Sequence, residues 1–193
     1  MAAIDKSALL AEFTSGSDEQ AEVAALQLAA HGTGSLPLIG EFLQNANVDV
    51  RWWAVRSLAD IRDPSVIPML LLALHDPEPE VGQCAALALR YQADPEAIPT
   101  LILTLNLPDR LMARLAADAL IATGDKSVPA LIEVLENKSQ PACLEAARAL
   151  GAIGDPRAIP ALFKALDEDS AILEHWAGEG LEKMGIGMVF FNP

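Results

Sequence analysis

The chain has 193 residues, 52% hydrophobic but only 5% aromatic, which suffices to bury a core built mainly from Ala and Leu. That bias favours helix over strand. A net charge of −14 opposes phosphate backbones and anionic membrane surfaces, which argues against nucleic acid and membrane as partners.

Met1-Ala2-Ala3-Ile4-Asp5-Lys6 lacks the basic region and apolar core of a signal peptide. The longest apolar run, Val66 to Leu74, is too short to span a bilayer and contains Pro68. The two cysteines, Cys84 and Cys143, stand in no metal-ligand spacing. Their Ala-rich helical surroundings predict buried free thiols, and with them a cytoplasmic protein.

Taken in chain order, the elements repeat. A first pair of helices is predicted near 4–31, with Ala24-Ala25 and Leu28 on its second helix. Five further pairs follow near 35–61, 65–92, 96–123, 126–153 and 157–184. Each opens on a proline: Pro37, Pro68, Pro99, Pro129 and Pro160, at spacings of 31, 31, 30 and 31. Proline in the first helical turn sacrifices no hydrogen bond, so each marks the start of a first helix, A. About 17 to 21 residues later comes a small-residue pair and a leucine: Ala54-Val55 with Leu58, Ala85-Ala86 with Leu89, Ala116-Ala117 with Leu120, Ala146-Ala147 with Leu150, and the degenerate Ala177-Gly178 with Leu181. Small residues let the second helix, B, lie close to its neighbours. Asp63-Pro64, Asp94-Pro95 and Asp155-Pro156 punctuate the repeats, and Gly124 and Gly154 supply helix stops. No single pair buries its apolar faces alone, so the pairs are expected to stack into one array over 1–193. The tail from Gly185 to Pro193 breaks the repeat, and either caps the array or docks elsewhere.

The pattern Asp-Pro-x-x-Ile-Pro-x-Leu-x-x-Ala-Leu, then Val-Arg-x-x-Ala-x-x-x-Leu and Ile-Gly-Asp, resembles the HEAT-like repeats named after phycobilisome lyases. The fullest copy runs from Gly151 to Leu162, and Val50-Arg51 keeps the family's usual arginine. Gly82, Ala113, Cys143 and Glu174 depart from it at the same position. The resemblance implies an all-α, right-handed α-solenoid of about six helix pairs, with A helices on the convex side and B helices lining the concave groove. It leaves function open, because such repeats serve bilin lyases, assembly factors, a DNA glycosylase family and plain scaffolds.

Counting along the B helices puts Trp52, Gln83, Arg114, Leu144 and His175 at one equivalent position. One turn on come Arg56, Leu87, Asp118, Arg148 and Glu179. With Arg90, these are the candidate groove residues. The arginines predict a mildly basic groove centre for an acidic or carboxylate-bearing segment of a protein partner. The alternative is a ladder in which Asp118 pairs with Arg114 on its own helix and Arg148 on the next. Trp53 is expected to pack toward the following repeat, while Trp52 either stacks under Arg56 or packs on a neighbour. On the convex side, Met69, Leu72 and Leu103 suggest an apolar patch for a partner or a second copy.

No triad, phosphate loop or metal cluster is evident, and no cofactor is called for. His31, His75 and His175 fall in different repeats. The reading is therefore a non-enzymatic interaction scaffold or assembly factor. The alternative is a phycobilin lyase subunit or bilin-binding chaperone, gripping propionates with Arg56, Arg90, Arg114 and Arg148 beside Trp52.

Overall fold

The computed structural model describes residues 4–136 and 140–186, and every regular element among them is helical. Their contacts group the chain into two compact units, Met1–Asp94 and Pro95–Pro193. The N-terminal unit holds three helix pairs: α1 (Lys6–Phe13) with α2 (Asp18–Ala29), α3 (Leu36–Phe42) with α4 (Val48–Ala59), and α5 (Ile67–Ala73) with α6 (Pro79–Gln92). The C-terminal unit holds three more: α7 (Ile98–Thr104) with α8 (Arg110–Thr123), α9 (Val128–Glu136) with α10 (Gln140–Ile153), and α11 (Ile159–Leu166) with α12 (Ala171–Lys183). The tail beyond Ile186 lies outside the described residues, and with it the question of a cap.

Each repeat proline is the second residue of an A helix, where its missing N–H leaves no intrahelical bond unmade. A feature the sequence reading lacked precedes each of these helices: a single 3-10 turn, at Gly32–Ser35, Pro64–Val66, Pro95–Ala97, Gly124–Ser127 and Pro156–Ala158. Asp63 and Asp155 cap two of these turns by accepting hydrogen bonds from the N–H of Ser65 and Arg157. B helices start on Ser17, Asn47, Asp109 and Ser170, whose side chains accept from first-turn N–H groups. Three of the B helices, α6, α8 and α10, end at a residue of positive φ: Ala93 (φ 51°), Gly124 (φ 74°) and Gly154 (φ 72°).

The small-pair motif is the core. Ala54, Val55, Leu58, Ala85, Ala86 and Leu89 are buried in the first unit, and α4 packs against both α2 and α6. In the second unit Ala116, Ala117, Leu120, Ala146, Ala147 and Leu150 are buried, and α10 packs against α8 and α12. Each buried leucine contributes about 2 kcal/mol. At the α10–α12 crossing, a Cβ on Gly151 would stand 2.8 Å from the Gly180 Cα, so the two backbones touch. Cys84 and Cys143 are both buried, and the Cys143 thiol donates to the carbonyls of Val134 and Leu135.

Candidate functional site

In the N-terminal unit the B-helix face centres on two tryptophans. Trp53 is buried, and its ring lies parallel to Phe13 of the preceding pair, centroids 6.3 Å apart. The expectation that it would pack toward the following repeat is thus corrected. Phe13 is the large aromatic of the short first helix, and its ring also meets Phe42 edge-on. Trp52 is half-buried and stands edge-on to Trp53 at 4.7 Å. It borders an open cleft of about 640 Å³ between α2 and α4, walled by Asp18, Glu19, Glu22 and Asp49. Asp18, Glu19 and Asp49 lie in first helical turns, where the dipole favours carboxylates.

Arg56 does not offer its guanidinium to Trp52. It donates to Asp60 one turn on, at 2.7 Å, and to Glu22 of the neighbouring helix. Burial alone would lower its pKa, but these two carboxylates outweigh that and raise it. Gln83 is half-buried, and Leu87 and Arg90 are exposed along α6.

In the C-terminal unit the arginines form a ladder in which the expected rung between Asp118 and Arg148 is present, while Arg114 pairs with a different carboxylate. Arg148, largely buried, donates to Asp118 of α8 and to Glu145 on its own helix, both at 2.8 Å. Arg114 reaches Glu145 at 3.7 Å, not Asp118. Leu144 is half-buried. His175 is exposed and stands 3.7 Å from Glu179, whose carboxyl is held below its usual range by Lys183 first and His175 second. Hence Arg56 and Arg148 are already neutralised by protein carboxylates. The open charge at the Trp52 cleft is negative, because Asp18, Glu19 and Asp49 have no cationic partner among the described residues. Arg56 and Arg148 are thus not open to an acidic partner segment, whereas Arg90 is exposed and Arg114 has the 3.7 Å contact with Glu145.

On the A-helix side, Leu72 is 59% and Leu103 is 68% exposed, while Met69 is half-buried with its methyl against Gly40. The two leucines belong to different units.

One polar site escaped the candidate list. Arg51, the family-type arginine, lies in a slot between α4 and the α5–α6 turn. Its Nε and Nη2 donate to the two oxygens of Asp76 at 2.8 and 2.9 Å, and its Nη1 to the carbonyls of Asn45 and Ala46. Both side chains are about nine-tenths buried. The signal was available: Arg51 falls fourteen residues after Pro37, and Asp76 eight after Pro68.

No curated protein matches the chain. Solved structures do. An engineered protein aligns with 24% identity over 96% of this chain and 98% of its own, TM-score 0.54. The CpcE–CpcF complex of phycocyanin lyase from Nostoc sp. PCC7120 aligns with 20% identity over 96% and 79%, TM-score 0.53. A designed armadillo repeat protein in complex with the peptide (KR)4 aligns with 18% identity over 94% and 100%, TM-score 0.50. At such identities the likeness is one of fold. No helix among the described residues is long and apolar enough to cross a membrane. The HEAT repeats family model matches at 7–90, 36–120, 67–141 and 98–182, following the proline period through nearly the whole sequence, and the chain therefore belongs to the HEAT-repeat family.

Proposed function

We propose that this protein is a non-enzymatic scaffold that holds a protein partner on its B-helix faces, and that the Trp52 cleft grips a basic segment of that partner. The observation that carries this is a half-exposed indole beside unneutralised carboxylates in an open cleft. A lysine or arginine entering it meets the Trp52 ring and the Asp18, Glu19 and Asp49 carboxylates together. Binding of the (KR)4 peptide by a solved protein of similar fold is in keeping with this reading. The bilin alternative has weaker support, since Arg56 and Arg148, two of its four propionate ligands, are already bound to carboxylates. A bilin mixed with the protein would show no spectral shift.

The test is titration with a Lys/Arg peptide, followed by tryptophan fluorescence, with a Glu/Asp peptide of the same length beside it. The basic peptide should bind and the acidic one should not. Trp52→Ala should weaken the basic peptide about threefold, the loss expected of a cation–aromatic contact open to water. Equal binding of both peptides, or an unchanged affinity in Trp52→Ala, would overturn the reading.

A further inference from the structure

In the C-terminal unit, the edge where α7 turns into α8 carries three leucines that the core does not take in. Leu103, Leu107 and Leu111 stand four, eight and twelve residues after Pro99, and no other repeat has leucine at all three offsets. At the middle offset the others have Asn45, Asp76, Asn137 and Glu168. Leu103 lies in the last turn of α7, Leu107 in the connection and Leu111 in the first turn of α8. They are 68%, 45% and 53% exposed. The charge at this edge is also out of pattern. Carboxylates sit in the first turns of α2, α4, α6 and α12, where the helix dipole favours them. The first turn of α8 has none and opens instead on Arg110. Arg110 is exposed and has no ion pair among the described residues, and Arg114, one turn on, has only the 3.7 Å contact with Glu145. Asp109 beside them is turned into the helix, accepting from the N–H groups of Leu111 and Met112. Exposed leucine and a cation at the positive end of a helix both work against stability, so the fold alone does not account for them.

We infer that this edge docks a leucine-bearing, acidic segment of a protein partner, with its apolar side chains on Leu103, Leu107 and Leu111 and its carboxylates on Arg110 and Arg114. Apolar area supplies the attraction, and the forked guanidinium heads select carboxylate over ammonium. A basic segment meets the same arginines as like charges and is turned away. A second copy of this chain is a poor occupant, because a two-fold pairing of the edge brings the arginines of one copy to those of the other. The inference shares with the proposed function the premise that the ligand is a protein, but rests on different residues in the other unit.

The capped peptide Leu-Glu-Glu-Leu-Leu-Glu-Glu-Leu titrated into 15N-labelled full-length protein tests it. Saturable amide shifts at Leu103, Leu107 and Leu111 are expected. The same peptide with lysine for glutamate, or with serine for leucine, should act on these residues at least about tenfold more weakly. Leu107→Ser and Leu111→Ser should each weaken the peptide about fivefold, as loss of a partly buried leucine contact does. Arg110→Glu should weaken it about tenfold. That variant also puts a carboxylate in the first turn of α8, so its melting temperature should hold or rise, which separates lost docking from lost fold. Trp52→Ala should change none of these results, which separates failure here from failure of the Trp52 cleft. Absence of shifts at the three leucines, equal response to the lysine peptide, or undiminished binding in Leu111→Ser or Arg110→Glu would overturn the inference. Shifts at the same leucines on raising the protein concentration alone would overturn it too, by making a second copy the occupant. So would shifts there with phosphatidylglycerol vesicles in place of the peptide, which would make the edge a membrane surface.

Discussion

Deleting the guanidinium of Arg51 would strand the Asp76 carboxylate in a largely buried position. Arg51→Ala should therefore cost about 3 kcal/mol at neutral pH, read as a lower urea midpoint. Burial pushes Asp76 up, but the Arg51 hydrogen bond, the Glu78 N–H and the Arg51 charge outweigh it and hold the carboxyl below its ordinary value. A lowered folded-state pKa gives stability that is complete above the unfolded value of about 4 and lost as pH falls through the folded value. The gap between wild type and Arg51→Ala should accordingly close in acid, measured by urea titrations at pH 7 and pH 2. Cys84 makes a second prediction at this scale. Burial, opposed by Arg56 and reinforced by Glu22, pushes its thiol up to about 12. At pH 8 it should resist a thiol reagent in the native protein and react only as fast as the chain opens. These two residues also show what sequence makes legible. Ala-rich helical surroundings announce a buried cysteine. The bond between Arg51 and Asp76 spans twenty-five positions and becomes visible only when two repeats are aligned on their prolines.

Among the elements, α10 and α12 make the closest approach that a glycine permits. A methyl on Gly151 would gain about 1 kcal/mol of helix propensity, yet it would press on the Gly180 backbone at 2.8 Å. Overpacking of this kind costs about 1–3 kcal/mol, so Gly151→Ala should lower the melting temperature. Gly178 lies on the same helix α12 with nothing within 4 Å of its virtual Cβ. Gly178→Ala should gain up to about 1 kcal/mol, opposite in sign, in the same thermal assay. The helix pairs were readable because proline and the Ala–Ala–Leu motif report local backbone and packing needs that recur every 31 residues or so. The 3-10 turns were not: a single tight turn has no hydrophobic period of its own, and Asp-Pro marks a boundary without specifying its winding. Trp53 was assigned to the wrong neighbour for a related reason. Helical spacing tells which residues share a face, but not that the short α1 would bring Phe13 there.

For the molecule as a whole, charge is the governing quantity. With −14 overall, attraction for a basic peptide should be long-ranged at low ionic strength and fade as the screening length contracts, from about 30 Å at 0.01 M to about 8 Å at 0.15 M salt. Fluorescence titrations across that range should show affinity falling steadily, while an apolar docking mode would hold or strengthen. The sequence told the sign of the total but misjudged the local field. The arginines are conspicuous in an acidic chain, and only the three-dimensional pairing reveals that Arg56 and Arg148 are spent on carboxylates of their own. The Asp-Pro joints carry a last implication. Asp155, gripped by Arg157, titrates at about 2, and Asp63 is held low by the Ser65 hydroxyl and N–H. Carboxylic acids in general take up protons near pH 4, and the chain has 27 acidic side chains, so its negative charge should shrink before those joints let go. On acidification the protein should thus lose its colloidal repulsion first and its architecture afterwards, coming out of solution as a folded precipitate that redissolves on neutralisation.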